Sequence, residues 1–122
     1  YAAQYTLPGT YAPIADFSLL EAAVAAAREQ NKPFHVGNLF STDVFYTANA
    51  PLPQWAKMGV LAVEMESAAL YCNAAAAGKK ALCITTISDC PLRGESTSAE
   101  ERQTAFTDMM EIALKTAVSV QN

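Results

Sequence analysis

The residues best placed to do chemistry lie where an apolar run ends on a carboxylate. Residues 82–87 are rich in β-branched side chains and are followed at once by Ser88 and Asp89. A loop containing Pro and Gly, residues 90–96, then leads to a helix start. Open α/β sheets bind ligands at the carboxyl ends of their strands, so Asp89 could be an acid or base aimed into a crevice. Alternatively, Asp89 simply starts a turn, as Asp often does near Pro.

Two further carboxylates, Glu64 and Glu66, end a second apolar run, residues 60–66. If this run is a strand, both glutamates point to one face and Met65 points to the other. A carboxylate beside a hydrophobic core costs free energy unless it accepts hydrogen bonds. Two such carboxylates could accept hydrogen bonds from adjacent hydroxyls, such as those of a ribose. The alternative is that Glu66 begins the next helix, where its charge is favourable, and that Glu64 is solvated.

Other side chains could complete a binding site. Arg102 extends the apolar stripe predicted for the last helix, so it should point inward, near the loop after Asp89. It could instead pair with a neighbouring glutamate. Phe45 and Tyr46, which follow the first predicted strand, could stack on a planar base, although packing onto the domain is the commoner use of such aromatic residues.

The elements that must position these residues alternate between helix and strand. Helical spacing and capping signals predict three main helices, opened by Ser18, Ser67 and Ser98. Three strands are predicted over residues 34–40, 60–66 and 82–87. The last two runs are apolar on both faces, which is typical of parallel strands covered on both sides. The order predicts an α/β fold, a mostly parallel mixed sheet flanked by helices on both faces.

The last helix shows the clearest signals of the three. Ser98 and Glu101 form a capping box, and Gly78 is well suited to end the preceding helix. The predicted buried stripe comprises Phe106, Met109, Met110, Ala113, Leu114, Ala117 and Val118.

The composition limits the function classes. The 122 residues fit a single domain, and 52% hydrophobic against 16% charged content predicts a globular chain. A net charge of −4 with scattered Lys and Arg argues against a nucleic-acid partner, and no apolar run is long enough to suggest a membrane span. Three cysteines without C-x-x-C spacing and a lone His35 predict reduced thiols in a cytoplasmic protein, with no metal site.

Four motifs resemble those of the bacterial, hexameric purine nucleoside phosphorylases. They are residues 40–46 (FSTDVFY), 63–69 (VEMESAA), 87–89 (ISD) and 100–104 (EERQT). They occur in the family's order and at close to its spacing, and together they are a specific signal. The resemblance covers essentially the whole chain but only the C-terminal half of a family member. Residues 1–122 are therefore expected to form a single partial domain of the nucleoside phosphorylase fold.

The resemblance implies reversible phosphorolysis of the N-glycosidic bond of purine ribo- and deoxyribonucleosides. Asp89 would be the general acid that protonates purine N7, and Arg102 would approach it when its helix closes over the site. A positioned acid typically contributes about 10²–10⁴-fold in rate. An ordinary Asp is ionised at neutral pH, so Asp89 would have to be protonated through burial or hydrogen bonding in the closed state.

The resemblance also implies the substrate contacts. Glu64, Met65 and Glu66 would line the nucleoside site, with Glu66 holding the ribose hydroxyls. Phe45 would pack against the base, and Ser88 would lie beside the acid. No cofactor is implied, since inorganic phosphate is a co-substrate, and the full-length protein would be a homo-oligomer, a hexamer.

Two departures from the family leave questions open. Cys90 and Pro91 follow the acid where relatives often have His or Asn, which leaves the base preference undecided. The phosphate-binding residues of the family belong to its other half, and this chain has no Gly-rich phosphate cradle. A related nucleosidase of the methylthioadenosine type, which uses water, and a non-catalytic α/β binding module are the alternatives. The 122 residues alone are expected to be inactive.

Overall fold

The structure, a computed structural model, describes residues 2–45 and 51–120. Within these ranges helices and strands alternate along most of the chain. A 3₁₀ turn, Ala2–Tyr5, is followed by α1 (Phe17–Glu29), β1 (Leu39–Ser41), α2 (Leu52–Lys57), β2 (Ala62–Glu64), α3 (Ser67–Ala76), β3 (Asp89–Cys90), β4 (Glu95–Ser96), α4 (Ala99–Ala105) and α5 (Thr107–Ser119).

Strands β1 and β2 pair in parallel. Parallel strands were predicted from residues 60–66 and 82–87, but the observed partner of β2 comes from the first predicted strand. Leu39 lies opposite Ala62, and Ser41 lies opposite Glu64. The pairing continues past the ends of the strands, since the Thr42 N–H donates to the Glu64 carbonyl at 3.0 Å. Both strands are shorter than the predicted residues 34–40 and 60–66. Because parallel strands have their carboxyl ends at the same edge, the loop after β1 lies beside the turn after β2.

The predicted strand over residues 82–87 is absent from the structure. Within residues 2–45 and 51–120 no strand pairs with this run, and a strand requires a hydrogen-bonded neighbour. The run is held in other ways: the Cys83 N–H donates to Tyr71 Oη of α3 at 2.9 Å, and the Ala81 carbonyl accepts from the Asp16 N–H at 2.9 Å. Regular pairing instead begins at Asp89, where β3 pairs with β4 in an antiparallel hairpin.

Helix α1 is capped by Asp16, so the prediction of Ser18 as its N-cap is wrong. Asp16 Oδ1 accepts the Leu19 N–H at 3.0 Å and the Ser18 hydroxyl at 2.5 Å. An aspartate oxygen is a strong acceptor for the free N–H groups of a first turn, and the negative charge suits that end of the helix. The Ser98–Glu101 capping box of α4 and the end of α3 before Gly78 are confirmed.

The described core is small and formed mostly by close-packed alanines. Helix α1 packs against α5, and the buried apolar residues are Ala23, Ala26, Ala27 and Cys72. On α5, Thr116 is 4% exposed, whereas Leu114 is 68% exposed. The buried stripe predicted for the last helix is therefore wrong in part. Helix α1 covers only one edge of that stripe, and the predicted single helix is divided at Phe106 into α4 and α5.

Candidate active site

Asp89 is the first residue of β3, and its carboxylate is surrounded by donors. The Thr97 N–H lies 3.1 Å from Oδ1, and the Ser88 hydroxyl lies 2.9 Å from Oδ2. Arg102 Nη2 lies 3.2 Å from Oδ1 and 3.3 Å from Oδ2. The hydrogen bond from the Thr97 N–H is the largest of the effects that hold the pKa of Asp89 below its ordinary value. The bonds from Ser88 and Arg102 lower the pKa further, although desolvation raises it. In this arrangement Asp89 is a carboxylate at neutral pH.

The position of Arg102 follows from the start of α4. The capping box of Ser98 and Glu101 fixes the first turn, and Arg102 stands one turn after the N-cap, so it reaches back toward the hairpin. Its Nε donates to Thr97 Oγ1 at 3.2 Å, which orients the guanidinium. The Arg102 and Asp89 side chains are 46% and 36% exposed, so the pair contributes little to folding stability. Its main effect is on the charge and orientation of Asp89.

A depression of about 280 Å³ lies against this carboxylate, near the lower end of the range for small-molecule sites. It is lined by Ile87, Ser88, Asp89, Cys90, Arg93, Glu95, Ser96 and Thr97. Arg93 Nη2 and Glu95 Oε2 form an exposed ion pair at 2.9 Å on its rim. The depression gives a ligand access to two carboxylates, three hydroxyls and the Arg93 guanidinium.

Glu64 ends β2, and its carboxylate turns back to the start of α3. Oε2 accepts the N–H groups of Glu66 at 2.7 Å and Ser67 at 2.6 Å, and Oε1 accepts the Ser67 hydroxyl at 2.5 Å. Burial raises the pKa of Glu64, but the bonds from Ser67 and Glu66, with a further one from the Ser41 hydroxyl, lower it overall. Glu64 is thus a capping group for α3, which was not among the roles predicted from the sequence.

Met65 and Glu66 form the bend between β2 and α3. Because β2 ends at Glu64, the alternation of a strand does not place the two glutamates on one face. Glu66 is the N-cap residue of α3 and is exposed, and its side chain makes no capping bond. The Glu64 carboxylate is therefore bonded within the turn, whereas the Glu66 side chain is exposed and does not cap the helix.

The remaining aromatic residues of the predicted site lie in the loop after β1. Phe45 is 71% exposed, and Tyr46 lies outside the described residues. Since the Thr42 N–H bonds to the Glu64 carbonyl, this loop starts beside the bend that carries Glu66.

Two residues near these carboxylates were not identified from the sequence. Burial, followed by the charges of Glu64 and Glu66, raises the pKa of the Cys83 thiol. Tyr71 of α3 accepts the Cys83 N–H, and burial raises its pKa. The only sequence signal for this contact was the hydroxyl of a Tyr side chain on a helix rich in alanine.

Within residues 2–45 and 51–120 no group of three His, Cys, Asp or Glu side chains is arranged to hold a metal ion. None of the helices described there is long and apolar enough to cross a membrane.

The chain belongs to the Phosphorylase superfamily, whose profile matches residues 2–120. Among curated proteins it is similar to the purine nucleoside phosphorylase DeoD-type 2 of Vibrio parahaemolyticus, with 53% identity over 111 residues, 90% of this chain and 47% of that protein. It is also similar to the DeoD-type purine nucleoside phosphorylase of Geobacillus stearothermophilus, with 51% identity over 108 residues, 88% of this chain and 46% of that protein. The chain thus spans about half the length of these relatives.

The fold is also that of a solved structure described as a P. knowlesi homolog of P. falciparum PNP. The TM-score is 0.77 at 24% identity, with 97% of this chain and 48% of that chain covered. The described helices and the parallel pair of strands are therefore part of an α/β nucleoside phosphorylase fold, as predicted.

Proposed function

We propose that this chain is part of a purine nucleoside phosphorylase of about the relatives' length, called the full-length enzyme below. The single observation that carries the proposal is a cluster at the end of the run of residues 82–87. It comprises Asp89, Ser88, Thr97 and Arg102. Relatives that are about 50% identical over most of this chain carry that name. The reaction would convert a purine nucleoside and phosphate into free base and ribose 1-phosphate or deoxyribose 1-phosphate.

Asp89 would act as the general acid of this reaction. Breaking the ribosyl C–N bond leaves negative charge on the purine, and a proton delivered to N7 relieves that charge. In the described arrangement three donors keep Asp89 ionised. A purine that enters the depression would exclude water from the carboxylate, and desolvation raises the pKa of an acid. Asp89 would therefore gain its proton as the substrate binds, while Arg102 keeps it oriented.

Glu66 would hold the ribose through its hydroxyls, with Met65 and Phe45 against the nucleoside. An exposed carboxylate at the carboxyl end of a parallel strand can accept two hydroxyl bonds from one sugar. Ser88 would support the acid, to which it already donates a hydrogen bond. No cofactor is needed for these roles.

The remaining parts of the reaction would come from outside this chain. Phosphate would be held by residues of the full-length enzyme that these 122 residues do not supply. The enzyme would be a homo-oligomer, a hexamer. Its location would be the cytoplasm, which suits the free thiols of Cys72, Cys83 and Cys90.

The test is base release by the purified full-length enzyme from inosine and from adenosine, with and without inorganic phosphate. Release that depends on phosphate, together with formation of ribose 1-phosphate, supports the proposal. Release of equal rate without phosphate indicates the nucleosidase alternative. Absence of base release under both conditions indicates a binding module.

A further inference from the structure

The carboxylate of Glu64 is already occupied by the protein. Its two oxygens accept three hydrogen bonds within the turn, two from backbone N–H groups of Glu66 and Ser67 and one from the Ser67 hydroxyl. Ser41 lies opposite Glu64 in the parallel pairing of β1 with β2. A carboxylate that gives up such bonds to reach a substrate loses charge-assisted interactions, so Glu64 is poorly placed to hold a sugar hydroxyl.

The same bonds fix the backbone of Glu66. The N–H of Glu66 points at Glu64 Oε2, so the φ angle and the direction of the Glu66 side chain depend on that carboxylate. Glu66 has no capping bond of its own at the start of α3. Glu64 satisfies the free N–H groups there in its place, and its negative charge is favourable at a helix N-terminus.

Two serines from different elements lie beside this carboxylate, and Ser67 donates its hydroxyl to it. Ser67 is 5% exposed and is the first residue of α3. Ser41 is the last residue of β1, and its Oγ also accepts the Ala68 N–H at 3.3 Å. The end of β1, the end of β2 and the start of α3 therefore meet at Glu64.

We propose that Glu64, Ser41 and Ser67 are positioning residues that aim the Glu66 carboxylate at the ribose and so set the ratio of kcat/KM between ribo- and 2′-deoxyribonucleosides. The proposal rests on the proposed function, in which Glu66 accepts bonds from the ribose hydroxyls. Glu64 then affects the sugar only through Glu66 and does not contact the nucleoside.

The experiment compares kcat/KM for a ribonucleoside and its 2′-deoxy analogue in the full-length enzyme. Ser67→Ala removes one hydroxyl and nothing else, and Ser41→Ala removes the other. Each is expected to lower the ribo-to-deoxyribo ratio by roughly tenfold, the size expected for one misdirected bond to a charged group. Thr116→Val is the matched control, since it removes a buried hydroxyl that bonds to the Ile112 carbonyl at 2.7 Å on α5.

A double-mutant cycle separates positioning from direct contact. If Glu64 acts through Glu66, Glu64→Gln changes the ratio in the unmutated enzyme but not in Glu66→Gln enzyme. Independent contacts with the sugar would give losses that multiply. Ser67→Thr, which keeps the hydroxyl, is expected to restore most of the ratio.

The outcomes are distinct. Two results would overturn this inference and leave the proposed function intact. One is that the losses in the ribo-to-deoxyribo ratio multiply in the double mutant. The other is an unchanged ratio in folded Ser67→Ala, Ser41→Ala and Glu64→Gln enzymes. An equal fall of the ratio in Thr116→Val enzyme would also overturn it. Absence of phosphorolysis by the unmutated enzyme would overturn the proposed function, and this inference with it.

Discussion

A single nitrogen of Arg102, Nη2, lies within 3.3 Å of both carboxylate oxygens of Asp89. The two residues are thirteen positions apart and belong to different elements, β3 and α4. Together with the bond from Arg102 Nε to Thr97, this contact joins the hairpin to the first turns of α4. A change at either residue therefore alters both the charge of the acid and the placement of α4.

Asp89→Asn in the full-length enzyme should reduce phosphorolysis of natural purine nucleosides by about 10²–10⁴-fold, because asparagine cannot donate an acidic proton to N7. A nucleoside methylated at N7, whose leaving group is already activated, should lose much less. The measurement is kcat/KM on both substrates. Equal losses would contradict the role of Asp89 as an acid.

Arg102→Gln should raise the pKa of Asp89 toward its ordinary value, because Arg102 is one of the groups that lower it. The bonds from Thr97 and Ser88 remain, so the return should be incomplete. Carboxyl-carbon NMR titration of the full-length enzyme measures this directly. Arg93→Gln is the matched control, since Arg93 pairs with Glu95 in the same hairpin. An unchanged Asp89 titration in Arg102→Gln enzyme would show that the contact has no electrostatic effect.

Glu66→Gln should weaken recognition of the ribose by roughly 1.5–3 kcal/mol, because the glutamine amide nitrogen cannot accept a hydroxyl bond and one bond to a charged group is lost. The ratio of kcat/KM between ribo- and deoxyribonucleosides should shrink accordingly. Glu111→Gln, which changes an exposed glutamate of α5, should leave the ratio unchanged. A constant ratio in Glu66→Gln enzyme would mean that Glu66 does not bind the ribose.

Glu64 should make the folded state sensitive to acid. Its pKa is lowered on folding, so the unfolded chain binds more protons in the window between the two values. The stabilising contribution is complete above the ordinary glutamate pKa of about 4.3 and is lost as pH falls through the lower folded value. Urea midpoints of the full-length enzyme at several pH values should therefore fall less steeply with acid in Glu64→Gln than in the unmutated protein. Identical pH dependence would contradict this assignment.

The 122 residues alone should show no measurable phosphate-dependent base release. Under the proposed function they would supply an acid and part of a nucleoside site, while the rest of the enzyme would hold the phosphate. Apolar side chains such as Ile87, Leu114 and Val118 are more than half exposed, so the isolated chain should also bind a hydrophobic dye more strongly than the full-length enzyme does. Adding the remainder of the enzyme in trans could restore part of the activity. A dye-negative chain with near-normal turnover of inosine would refute this prediction.

The sequence was sufficient for features that depend on local chemistry. The Ser98–Glu101 capping box and the end of α3 before Gly78 both follow from residue type and spacing. The family was likewise evident from short motifs, because they keep their order and spacing along the chain.

The errors concern features that depend on distant partners. The run of residues 82–87 has the composition of a strand, but a strand also needs a neighbour, and the described chain offers it only contacts such as the bond to Tyr71. The buried edge of α5 is set by its contact with α1. The use of Glu64 as a cap depends on where β2 ends, which residue type alone could not fix.

Helix α4 has only seven residues and is separated from α5 at Phe106. Isolated helices shorter than about 12–15 residues are marginal in water, so α4 relies on its capping box and on the contact between Arg102 and Asp89. Its backbone amides should therefore exchange with solvent deuterium as one unit and faster than those of α1. Any ligand that binds Asp89 also changes the local unfolding equilibrium of α4. Ligand binding at Asp89 would therefore change the hydrogen-exchange rate of the α4 amides.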